Sequence, residues 1–157
     1  MRRWQYSAVP AFEANVRAGE TPPLAVETRT FGVSQKDATV LDDWVEDVGR
    51  QWDMSARAVF GARLCIAELV NNVIEHGRAR HEDDHVVVTL SRYDRGFGVE
   101  FMDTRGQFDP TVSIPRPQDL TESIGGRGLM LIHAFAGELG YRYDGRYNRT
   151  TLKIPSN

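Results

Sequence analysis

The chain of 157 residues has a single cysteine, Cys65. That excludes an intramolecular disulfide and any multi-cysteine zinc or iron–sulfur site. No apolar run approaches the ~18 residues that a membrane helix needs. Neither sign of charge dominates: 19 Lys and Arg face 22 Asp and Glu, a net charge of -3. This balance argues against general nucleic-acid binding, which a basic excess usually marks. Met1-Arg2-Arg3 is followed by Trp4-Gln5-Tyr6-Ser7 and not by an apolar stretch, so no secretory signal is expected. The expectation is a cytoplasmic protein with a reduced thiol, no membrane contact and no direct nucleic-acid partner. Walker and Rossmann phosphate loops are also missing. No Gly-x-x-x-x-Gly-Lys-Ser/Thr occurs, and no Gly-x-Gly-x-x-Gly joins a strand to a helix.

What is present is ordinary in bulk. Hydrophobic residues make up 41% and charged residues 26% of the chain, typical of a globular domain. A chain this long buries roughly 68–70% of its unfolded surface, enough for one core. Residues 1–23 carry Pro10, Pro22 and Pro23 and no sustained period, and read as an N-terminal extension. Trp4, Tyr6 and Phe12 leave room for docking there.

From residue 24 the patterns become regular. Leu24 to Val33 alternates like a strand. Ser34, with Asp37 three residues on, reads as the N-cap of a helix to about Trp52. Ser55 caps a second helix, from Ala56 to about His76, and Gly77 suits its C-terminus. A charged loop over 77–85 precedes a hairpin of strands 86–92 and 97–102. Residues 103–128 form a long Gly- and Pro-bearing loop, of the kind that is functional or disordered inside a compact domain. A helix over 129–139 and a hairpin of strands 141–143 and 150–154 complete the chain. Helices and hairpins are segregated. That predicts an α+β two-layer sandwich, a mixed and mainly antiparallel sheet with helices on one face.

Two features carry chemistry. On the second helix, at about 100° per residue, Glu68, Asn71, Asn72, Glu75 and His76 share one face spanning roughly −60° to 80°. Ile66, Ala67, Leu69, Val70, Val73 and Ile74 cover the opposite side. A solvated amphipathic helix shows the same division, but such faces favour good helix formers, and adjacent Asn71-Asn72 in mid-helix is unfavourable. A carboxylate and a carboxamide one turn apart can hold a nucleophile's proton and a metal–phosphate group together. The second feature is glycine placement. Asp103-Thr-Arg-Gly106-Gln-Phe-Asp-Pro110 follows a strand, and Gly125-Gly126-Arg127-Gly128-Leu129 precedes a helix. Glycines at a helix N-terminus let backbone amides approach an anion; a plain flexible loop uses the same residues.

Taken together and in order, Glu68-Leu-Val-Asn-Asn72-Val-Ile-Glu-His76, Asp103-Thr-Arg-Gly106-Gln-Phe-Asp-Pro110 and Gly126-Arg-Gly128-Leu129 resemble the N box and the two glycine boxes of the GHKL ATPases. Within that superfamily the chain is most similar to bacterial anti-sigma-factor serine/threonine kinases, over about residues 24–155. The resemblance implies the Bergerat, histidine-kinase-like ATPase fold, with ATP and Mg²⁺ as cofactors. It implies Glu68 as general base and Asn72 as Mg²⁺ ligand. Asp103 would accept a hydrogen bond from the adenine amino group, and Gly106 would let the base approach. Gly126 and Gly128 would offer amides to the phosphates, Thr150 would support the adenine site, and Phe108, Arg127 and Leu129 complete the nucleotide-binding set. Residues 111–124 would be a lid. Two positions depart from the superfamily. Gln107-Phe108 stands where a second glycine is common, and Arg127 stands where a small or apolar residue is usual, which suggests a phosphate or partner contact. The implied activity is phosphorylation of an anti-sigma-factor antagonist by a homodimer that also binds a sigma factor. A nucleotide-gated interaction module without kinase activity is the alternative. A detached histidine-kinase catalytic domain, and a metal site in the loop from His76 through His81, Glu82, Asp83 and Asp84 to His85, rank lower.

Overall fold

The computed structural model describes residues 21–111 and 127–157. Residues 1–20 of the expected extension and 112–126 of the expected lid, Gly126 among them, lie outside the described residues, as does the Arg127 side chain.

The elements run β1 (Ala25–Gly32), α1 (Gln35–Gln51), α2 (Ala56–His76), β2 (His85–Tyr93), β3 (Gly96–Asp103), α3 (Arg127–Phe135), β4 (Glu138–Tyr143) and β5 (Asn148–Pro155). Both serine caps form. Ser34 accepts from the Asp37 amide at 3.1 Å, and Ser55 accepts from the Ala58 amide at 3.2 Å. Each satisfies one orphan donor of its helix. Ser55 also donates to the Ser156 carbonyl at 2.8 Å, tying the start of α2 to the end of the chain. Between β2 and β3 the turn is closed by Gly96 at φ 146, where an added Cβ would strike the backbone of Ile154.

The strands form one sheet in the order β1-β2-β3-β5-β4. The sequence allowed a mixed sheet, but all four pairings are antiparallel. The C-terminal hairpin enters with β5 against β3 and leaves β4 at the edge, so no parallel pair arises among the described residues. Cross-strand partners share a face, and the register makes three apolar rows on the helix side. They contain Val88–Phe101, Leu90–Val99–Leu152 and Phe97–Ile154. These residues pack with Leu41, Trp44, Val45 and Val48 of α1, Ile66, Leu69, Val70 and Val73 of α2, and Leu129 and Ile132 of α3. Each such side chain contributes about 1.5–3 kcal/mol when fully buried. Arg63 clamps α2 to α1, with Nε and Nη2 bound to the two Asp42 oxygens at 2.9 and 2.6 Å and Nη1 to Glu46 at 2.9 Å.

The C-terminal boundaries differ from the sequence reading: α3 starts at Arg127, β4 at Glu138 and β5 at Asn148, each earlier than expected. The last helix ends at Phe135, and Leu139 belongs to β4. Ala136 closes the final turn on Ile132 O, and the Gly137 amide already bonds Lys153 O at 2.8 Å. Gly137 therefore starts the strand pairing where helical spacing alone would continue. Among the described residues no helix is long and apolar enough to cross a membrane.

Candidate nucleotide site

The fourth row of the sheet, next to Val88–Phe101–Thr150, is not wholly apolar. It holds Val86, Asp103 and Asn148 on the same helix-facing side. Asp103 is 7%, Asn148 2% and Thr150 4% exposed. Thr151, one residue on, points to the opposite side and is exposed. Buried polar groups at the end of an apolar layer need partners. Here they find some in each other and leave others for a ligand.

α2 runs over this end of the sheet. Its core face is buried as the periodicity requires, and Glu68, Asn71 and Asn72 are half-buried on the other side. A cavity opens between α2 and the sheet end. Leu69, Val73, Phe101, Phe108 and Pro110 give it apolar walls, Asn72, Asp103 and Thr150 its polar groups, and Gly77 and Gly106 its close backbone approaches. Five expected binding residues thus meet in one place: Asn72, Asp103, Gly106, Phe108 and Thr150. Nδ2 of Asn72 is buried and has no hydrogen-bond partner among the described residues. A buried amide end left unpaired carries a desolvation penalty of about 1–3 kcal/mol, which a bound polar group would relieve.

Glu68 and Gly128 form a second contact beside the cavity. A methyl on Gly128 would land on Glu68 Oε2 and lie 3.1 Å from its Cδ. The start of α3 is therefore brought against the carboxylate one turn before Asn72. Helix N-termini favour anions through their free amides and the helix dipole. Leu129 sits in the core at 4% exposure and anchors the start of α3 there.

Asp103 is held on one oxygen. Its Oδ1 accepts from Asn148 Nδ2 at 3.1 Å and from the Arg105 amide at 3.0 Å. Burial pushes its carboxyl above the usual range, while these two bonds and the Arg105 charge pull it back. Arg105 itself braces the loop. Its Nη1 donates to Val73 O at 3.1 Å and Gly77 O at 3.0 Å, capping the end of α2. Gly77 matters here for space. Its φ is −65, an ordinary value, but a Cβ would overlap the backbone carbonyl oxygen of Val73 and stand 2.7 Å from Arg105 Cδ. Gly106 is tight against Arg78, whose Cβ is 3.1 Å from a hypothetical methyl. His76 stacks on Phe108 at 6.5 Å between ring centroids.

The charged loop after α2 is organised by Asp84. Burial opposes its ionised form, but the Arg80 and His81 amides and the Thr104 hydroxyl donate to it and hold its carboxyl below the usual range. Among the described residues no cluster of His, Cys, Asp and Glu fit to hold a metal occurs. Asn148 is the residue that the sequence reading missed. Its signal was its place two residues before Thr150, which puts both on one strand face.

With this geometry in view, the comparisons with known proteins decide the family. A family model described as a histidine kinase-like ATPase domain matches residues 34–154, most of the chain. The chain belongs to the histidine kinase-like ATPase domain family. This ATPase domain is similar to a serine/threonine-protein kinase, BtrW, of Bordetella bronchiseptica: 28% identity over 136 residues, 82% of this chain and 94% of the relative. Its fold is similar to the RsbU and RsbW domains of Rv1364c from Mycobacterium tuberculosis, at a TM-score of 0.59 and 16% identity over 85% of this chain. This domain spans only 33% of that longer chain. An ATPase domain implies an ATP-binding site, and the α+β layering matches that solved neighbour.

Proposed function

We propose that this protein is a cytoplasmic, Mg²⁺-ATP-dependent protein serine/threonine kinase of the anti-sigma-factor type. Its substrate is an anti-sigma-factor antagonist protein; its other partners are a sigma factor and a second copy of itself. The observation that carries the proposal is the pairing of two unfinished polar sites on one cavity. Asp103 is fixed and buried through one oxygen at the sheet end, and Asn72 brings an unpartnered buried amide from α2. The similarity to a protein named a serine/threonine-protein kinase supports the class of reaction.

In this reading Asp103 accepts the adenine amino group and Thr150 supports it from the neighbouring row. Phe101, Phe108 and Leu69 enclose the base. Asn72 fits a hard cation through its carboxamide oxygen, the O and N ends of an amide being interchangeable by a flip. Bound Mg²⁺ supplies neutralisation of phosphate charge. The α3 N-terminus at Gly128 adds amides to the phosphates; Gly126 and the Arg127 side chain, assigned to the same role by the family resemblance, lie outside the described residues. Glu68 takes the proton of the attacking hydroxyl. Phosphoryl transfer is mostly positioning and charge stabilisation, so these few groups suffice.

Calorimetric titration with ADP and a non-hydrolysable ATP analogue, with and without Mg²⁺, tests the site. Micromolar binding that tightens with Mg²⁺ and disappears in Asp103→Ala is expected. Radiolabel from γ-labelled ATP should then reach a serine or threonine of the antagonist. Glu68→Gln should slow this transfer by roughly 10²–10⁴-fold and leave ADP affinity intact. Binding without any transfer would make the protein a nucleotide-gated interaction module instead.

A further inference from the structure

We infer that Asn148 is a specificity-determining positioning residue: it holds Asp103 as a fixed hydrogen-bond acceptor, and so restricts the cavity to a base with an amino group at the position Asp103 reads. This rests on the nucleotide reading above.

The carboxamide of Asn148 is fully engaged. Nδ2 lies 3.1 Å from Asp103 Oδ1, 3.1 Å from Arg105 O and 3.1 Å from Gly106 O. Oδ1 accepts from the Phe108 amide at 3.1 Å and from the Tyr141 hydroxyl at 2.6 Å. The two backbone carbonyls can only accept and the Phe108 amide can only donate, so the partners fix which end is nitrogen. Both amide hydrogens are shared among three acceptors, and both lone pairs of Oδ1 are taken. Nothing remains for Asn148 to offer a ligand, so it acts through Asp103.

Its effect on Asp103 is one of protonation state. A donated bond favours the ionised carboxylate, which only accepts. Around Asp103, Arg105 favours that form and Asp84 opposes it. Tyr141 on β4 and Asp109 in the loop after β3 are further titratable groups interacting at this corner. α2 contributes Asn72 and, behind Phe108, the His76 ring. With Asn148 gone, burial has one less bond against it. Asp103 then takes up a proton more readily and becomes a donor, which can pair with a guanine carbonyl but meets the adenine amino group donor to donor.

The test is calorimetry of ADP and GDP binding to the full chain across the neutral pH range. Wild type, Asp103→Ala, Asn148→Ala and Asn148→Ser are compared, and each fold is checked by thermal melting. Asn148→Ala should bind ADP at least roughly tenfold more weakly. Its ADP-to-GDP preference should shrink at low pH and recover as pH rises, and Asn148→Ser should fall between it and wild type. A purely structural role would weaken both nucleotides equally at every pH. Equal weakening, or wild-type selectivity in a folded Asn148→Ala, overturns the inference. So does failure of both Asn148 variants to fold, which would make the residue a folding determinant. Absence of ADP binding by wild type, or full ADP affinity in Asp103→Ala, would instead overturn the nucleotide reading itself.

Discussion

Replacing Gly128 by alanine separates stability from activity at this site. Gly128 is the second residue of α3. Its added methyl would overlap Glu68 Oε2 and come within 3.1 Å of Glu68 Cδ. Both atoms are the far end of a flexible side chain, so the conflict is relieved by turning the carboxylate aside. Forcing a χ angle part-way off its rotamer costs about 0.5–1.5 kcal/mol. Alanine returns up to ~1 kcal/mol of helix propensity over glycine. The two nearly cancel, leaving a net change within about 1 kcal/mol and a Tm shift of at most ~2–4 °C for a chain this long. Turnover has no such compensation. Moving a reacting group by about 1 Å costs on the order of 10²-fold. Gly128→Ala should therefore melt like wild type and bind ADP like wild type, yet transfer phosphate on the order of 10²-fold more slowly. Differential scanning fluorimetry and a radiolabel-transfer time course read the two quantities on one preparation. Full turnover at an unchanged Tm would refute the placement of Glu68 at the reacting centre. A Tm fall well beyond ~4 °C would show that backbone, not the carboxylate, occupies the space.

Two further outcomes follow from groups outside the site. Burial, and then the charge of Glu68, push the Cys65 thiol up to about 12. Native protein at pH ~8 should react with a thiol reagent at least ~10³-fold more slowly than unfolded protein, whose thiol titrates near ~8.5; rapid labelling of native protein would contradict the burial. The Arg63 bonds hold Asp42 below the usual carboxylate range, although burial works against them. A depressed folded value stabilises the fold above the unfolded value of ~3.9 and is lost as pH falls through the folded one. With both side chains 35% exposed, screening keeps the contribution of the pair under ~1 kcal/mol. Asn in place of Asp42 should therefore lower stability slightly at pH 7 and less at an acid pH below the depressed folded value. Urea denaturation at the two pH values reads the difference, and an equal loss at both would deny the ion pair its role.

Much of α2 was legible because one periodic run of 21 residues encodes both its faces. Ile66, Leu69, Val70 and Val73 had to be buried, and Glu68 and Asn72 had to share the other side. Asn148 was not legible in the same way. Asparagine is depleted in strands, and it follows a turn at Asp144-Gly145, so the last strand reads as starting at Thr150. Its partners Asp103 and Phe108 lie 45 and 40 residues away, beyond any local pattern. Leu139 shows a different failure. It continues the spacing of Ile132 and Phe135 on a helix face, yet the bond from Gly137 to Lys153 claims it for the sheet. Gly77 was placed well for an inexact reason. It ends α2, but its smallness makes room for the Val73 carbonyl and the Arg105 stem and does not serve a left-handed turn.

The walls of the cavity span the chain from Leu69 to Thr150. A small molecule lodged there touches α2, β3 and β5 at once, and those three meet only after the last strand has joined the sheet. No partly folded chain offers the same grip, so the binding free energy is added to the stability of the finished fold. At a ligand concentration one hundred times Kd that increment is about 2.7 kcal/mol. Opening of the C-terminal hairpin, and cleavage by proteases that wait for it, would then become rarer by about two orders of magnitude. A ligand held in the cavity would thus lengthen the lifetime of the folded chain.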